Sequence, residues 1–141
     1  MRKWRGCLIV MIGLFIIILL TNSVGVGEEE FLKRGRSEGI PFLSGGVGLR
    51  ERELLNEMGK AYSLKMVFSN KKGEYLSDIV VKVLDPQEKV ILTTVSNGPW
   101  LFIDLPEGIY HLEASFMADR KKVSQVEIKK GVQKVISFQW E

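Results

Sequence analysis

His111 is the only histidine in the chain, and Glu113 and Ser115 follow it at intervals of two. In a β-strand that spacing puts all three side chains on one face. A histidine beside a carboxylate and a hydroxyl is the raw material of general-base hydrolysis. A nucleophilic triad also needs the serine and an acid held around the base. Nothing in the spacing of Ser115 and Asp104 holds them there. Alternation also turns His111 away from Tyr110 and Leu112, toward water, where tuning of a base is weak. The pattern is equally that of an ordinary solvent-facing strand.

Other chemistries find less material. Zinc needs three or four ligands, and the chain offers one histidine and one cysteine, Cys7. Asp78 and Asp104 are two isolated acids, too few for a calcium site. Neither a metal nor a cofactor is expected. Gly45-Gly46-Val47-Gly48 precedes a helical pattern, and amides at a helix start can hold an anion. No strand is expected to lead into it and no Lys-Ser/Thr follows, so a hinge or cap is expected rather than a phosphate loop. Trp100 and Trp140 could stack on a sugar or peptide. Trp100 shares its parity with Phe102 and Asp104, while Leu101, Ile103 and Leu105 make the better core set. Trp100 is therefore expected on an outer face or under a helix. The candidate partner surface is Trp100, Phe102, His111 and Glu113, with no catalytic residue assigned.

These residues must be positioned by strands. Leu64, Met66 and Phe68 alternate, as do Tyr110, Leu112, Ala114 and Phe116, and Ile136, Phe138 and Trp140. Ile79–Leu84, Val90–Val95, Trp100–Ile103 and Val123–Ile128 are short apolar or β-branched runs. Turns are expected at Asn70–Glu74, Asp85–Glu88, Asn97-Gly98, Pro106–Gly108, Met117–Arg120 and Lys130-Gly131. Seven strands at this spacing predict an antiparallel Greek-key sandwich over residues 63–141. Ahead of it, Leu54, Leu55, Met58, Ala61 and Tyr62 share one helical face, which predicts an amphipathic helix over 49–62 packed on the sandwich. Residues 28–48 mix charges, glycines and Pro41 without a sustained period and read as a linker, with Phe31, Phe42 and Leu43 packing locally.

The N-terminus predicts the compartment. Arg2, Lys3 and Arg5 precede an apolar run from Cys7 to Leu20, then small residues at Ser23, Gly25 and Gly27. That order describes a signal peptide over 1–27, and the run is shorter than the roughly 20 residues of a spanning helix. An uncleaved anchor facing outside the cytoplasm is the alternative. The chain carries 20 Lys and Arg against 17 Asp and Glu. Three of the basic residues lie in 1–27, so the remainder balances at 17 of each and offers no nucleic-acid surface. The basic stretch Arg120, Lys121, Lys122, Lys129 and Lys130 reads as a solvated hairpin edge. With no cysteine after Cys7, the exported domain must be held by its core alone.

Leu105-Pro106-Glu107-Gly108-Ile109-Tyr110 resembles the Leu-Pro-x-Gly-x-Tyr signature of carboxypeptidase regulatory-like domains, which are transthyretin-like (prealbumin-like) sandwiches. Gly45–Gly48, Tyr62–Phe68, Gly73–Asp78, Asn97–Trp100 and Phe138–Trp140 are similar to segments of small exported bacterial proteins that carry this domain. The resemblance covers about residues 44 to 140. It implies the sandwich, export and a non-catalytic accessory role. The transthyretin-like hydrolases of urate breakdown use several histidines and end in Tyr-Arg-Gly-Ser, whereas this chain has one histidine and ends Phe-Gln-Trp-Glu. Together these expectations describe a periplasmic binding module taking an unknown envelope protein or cell-wall component. The alternative is a small periplasmic hydrolase built on His111 and its neighbouring acids.

Overall fold

A computed structural model of the chain describes residues 32–141. The expected signal segment and the start of the expected linker lie outside them. The described residues form nine strands and one helix. In chain order these are β1 (Lys33–Ser37), β2 (Ile40–Gly45), α1 (Leu49–Gly59), β3 (Leu64–Asn70), β4 (Val80–Leu84), β5 (Val90–Val95), β6 (Trp100–Ile103), β7 (Gly108–Phe116), β8 (Asp119–Ile128) and β9 (Lys134–Trp140). All seven expected strands are present. The nine strands make two sheets, of order β1-β2-β6-β3-β9 and β5-β4-β7-β8.

The two extra strands correct the linker. Glu38 and Gly39 both adopt positive φ, at 50° and 81°, which closes a two-residue hairpin between Ser37 and Ile40. Glu-Gly is a weaker hairpin signal than Asn-Gly, and β1 is a charged strand with no apolar alternation. β2 then sends neighbouring side chains to opposite sides. Phe42 enters the space between the sheets, and Leu43 enters a second cluster with Leu55 and Phe102. A strand buried on both faces has no period-2 signature.

The inter-sheet core joins Leu64, Met66, Phe68, Leu101, Ile103 and Phe138 from the first sheet to Val81, Val83, Leu92, Leu112 and Ile128 from the second. Trp140 closes it at one side, its ring 6.0 Å from Phe116 and its Nε1 donating to Asp119 O at 3.2 Å. The expected all-antiparallel topology also needs correction. β3 and β9 run parallel, in unbroken register from Leu64 opposite Lys134 to Asn70 opposite Trp140.

Four connections carry the chain between the sheets, and two of them, at turns expected from sequence, have a visible physical anchor. At the first, between β5 and β6, a Cβ on Gly98 would collide with the backbone of Gly45, so any other residue there must push the two segments apart. At the second, between β6 and β7, the Tyr110 hydroxyl donates to Pro106 O at 2.8 Å and ties the corner to the core. This is the physical content of the Leu-Pro-Glu-Gly-Ile-Tyr run. The turn expected over Met117–Arg120 shortens to Met117-Ala118, with Asp119 and Arg120 already paired in β8.

Candidate functional site

α1 lies over one part of the first sheet's outer surface. It is shorter than expected, because Tyr62 N–H donates to Gly59 O in a three-residue turn that ends the helix early. Its start is held by Glu51, whose carboxylate accepts from Gly46 N–H at 2.8 Å and Gly48 N–H at 3.3 Å. The glycine run is thus a cap, as expected, although β2 does lead into it. Leu55 is fully buried against Leu43 and Phe102, and Gly59 packs so closely on the Phe102 ring that a Cβ there would collide with it. Phe102, expected at a partner surface, is 1% exposed beneath the helix.

Trp100 marks the boundary of that cover. Its ring stands edge-on to Phe102 at 6.4 Å and remains half-buried. Cross-strand register sets Trp100 beside Val67, and Val67 beside Ser137. In the next row Phe102 neighbours Lys65, and Lys65 neighbours Val135. Lys65 leans back over this surface, with Nζ 3.7 Å from the Trp100 centroid and 5.4 Å from that of Phe102. Partial burial lowers its pKa below the ordinary 10.5. No carboxylate is paired with it among the described residues. The Trp100 Nε1–H is buried and has no acceptor. Two hydrogen-bond donors and an aromatic face therefore sit together without an anion. Sequence reading missed Lys65. Its outward parity was legible, but its adjacency to Trp100 depends on β3 pairing with β6, a non-local fact.

His111 and Glu113 are on the other sheet, so the four expected surface residues do not come together. His111 has the outward parity read from the sequence, yet it is only 6% exposed. The reason is a bulge in β8. Register shifts between the Tyr110–Val126 and Leu112–Val123 pairs, Gln125 takes φ 58°, and its N–H donates to His111 Nδ1 at 3.3 Å. Glu113 faces Arg120 at 3.8 Å. Nearby, Lys122 bonds Glu88 at 2.8 Å and holds that carboxyl below its ordinary value. No group of three or more His, Cys, Asp or Glu able to hold a metal occurs among the described residues.

A cleft of about 310 Å³ opens where α1 ends, between the β6–β7 and β8–β9 connections. Part of its rim is engaged in contacts of the fold. Lys60 pairs with Glu57, Lys130 N–H donates to Glu107, and Gln133 donates to the carbonyls of Gly59 and Tyr62.

No protein-family model matches this sequence, and no curated protein matches it. The two-sheet architecture stands on the described residues themselves.

Proposed function

We propose that the chain is a non-catalytic, exported module of the cell envelope, of the carboxypeptidase regulatory-like kind, and that it binds a protein or cell-wall-related partner through the surface around Trp100 and Lys65. The observation that carries this reading is the Lys65 ammonium 3.7 Å above the half-buried Trp100 ring, with no carboxylate paired to it among the described residues. The ammonium supplies a cation for a partner carboxylate, and the half-buried aromatic ring supplies the apolar contact that interfaces favour.

The non-catalytic part of the reading rests on His111. Its Nδ1 is occupied by the Gln125 amide, and the adjacent acid, Glu113, is turned to Arg120. A general base needs a nucleophile within hydrogen-bond reach and an orienting partner. No hydroxyl is bonded to His111 in the described hydrogen-bond network.

Affinity capture from envelope extract tests the reading. Wild-type protein is expected to retain one specific partner. Lys65→Glu and Trp100→Ala are each expected to weaken it roughly 30-fold, the effect of a 2 kcal/mol hot spot. His111→Ala should leave capture unchanged. Capture indifferent to Lys65 and Trp100, or a hydrolytic activity abolished by His111→Ala, overturns the proposal.

A further inference from the structure

Edge strands expose backbone donors and acceptors, and proteins usually blunt them. The two sheets have four edges: β1, β9, β5 and β8. Three are blunted. β1 places Lys33, Arg34 and Arg36 within five residues. β5 is bridged by β1, through Lys33 Nζ to Val95 O at 3.1 Å and Ser37 Oγ to Thr93 O at 3.4 Å. β8 carries Asp119, Arg120, Lys121, Lys122 and Glu127, and bulges at Gln125. β9 has none of these devices. Between Lys134 and Glu141 it contains no charge and no proline, and its seven pairs with β3 show no register shift.

The direction of its free groups follows from the ladder. Lys134 N–H donates to Ser63 O, and Lys71 N–H donates to Trp140 O. In a parallel pair, a residue that bonds its neighbour strand does so with both N–H and C=O, and the next residue turns both away. Lys134, Ile136, Phe138 and Trp140 therefore face β3. Val135, Ser137 and Gln139 point three donors and three acceptors outward. Their side chains are exposed, Val135 at 54%.

We propose that β9 is a dimerisation edge, which pairs antiparallel with β9 of a second copy about a two-fold axis through Ser137. This proposal is independent of the reading of the Trp100 surface. The occupant follows from self-complementarity. With Ser137 opposite Ser137, Val135 of each copy faces Gln139 of the other, and every outward group on both strands finds a partner. A shift of one residue sets outward groups against residues whose groups are turned inward, and a shift of two leaves an end unpaired. No like charges are opposed in the symmetric register. Lys134 stands across from Trp140 of the second copy, one residue from its Glu141, an opposite charge. The two five-stranded sheets become one of ten strands, and an isologous contact of this kind stops at two copies.

Register-specific cross-linking tests it on the full chain in mild detergent, in a Cys7→Ser background so that introduced thiols stand alone. Residues directly opposite in a hydrogen-bonded antiparallel pair lie about 5.5 Å apart at Cα, within disulfide range. Ser137→Cys is expected to form a disulfide-linked dimer on mild oxidation. Val135→Cys alone is expected to remain at least tenfold less cross-linked, and Val135→Cys with Gln139→Cys to cross-link again. Equal cross-linking of the two single variants means contact through the micelle or another register and overturns the proposal. Absence of any dimer leaves β9 an open edge for a different strand and overturns it as well.

Discussion

Tyr110 joins the core to a corner of the fold. Its ring is buried and its hydroxyl holds Pro106 O. Burial raises its pKa above the ordinary 10.0. Above pH 10 the unfolded chain loses a proton that the folded chain keeps, so stability present below pH 10 is lost as pH rises. Lys65 acts in the opposite sense. Its pKa is lowered from 10.5, so stability gains as pH approaches that value. Tyr110→Phe is expected to cost about 1 kcal/mol at neutral pH and to lose less stability than wild type between about pH 9 and pH 11. Urea melts at the two pH values check both parts. The inward direction of Tyr110 was legible from alternation alone. The burial of His111 was not, because it is made by a bulge on the opposite strand.

Among the elements, the strands that alternate were legible, and the hairpin β1–β2 was not. Its first strand is charged and its second is apolar on both sides, so neither shows the period that betrays a half-buried strand. α1 was legible in its start but not its end. It ends at the Tyr62 N–H to Gly59 O turn, where Gly59 lies against Phe102, a residue 43 positions later in the chain. Two element-scale variants probe the joints. Gly98→Ala forces the β5–β6 crossing away from the Gly45 backbone of β2 and is expected to destabilise by roughly 1–3 kcal/mol. Glu51→Ala removes a helix cap and should cost about 1 kcal/mol. Chemical denaturation is expected to rank Gly98→Ala as the more damaging. The reverse order would mean that the β5–β6 crossing relaxes without cost.

At the scale of the molecule, the sandwich begins before the domain boundary that sequence reading placed at residue 63. Deleting residues 32–45 strips Leu43 from Phe102 and Phe42 from the inter-sheet core. Large apolar truncations of this kind cost about 2–5 kcal/mol each, against a total of about 5–15 kcal/mol for an ordinary domain. The shortened chain is expected to lose its cooperative thermal transition, as circular dichroism would record. The parallel pairing of β3 with β9 has a consequence in time. Of the described strands that follow the helix, a ribosome makes β3 first and β9 last. Until residue 140 has left the tunnel, Phe68 lacks its partners Phe138 and Trp140, and one side of β3 has no neighbour. The nascent chain therefore cannot close its own fold early.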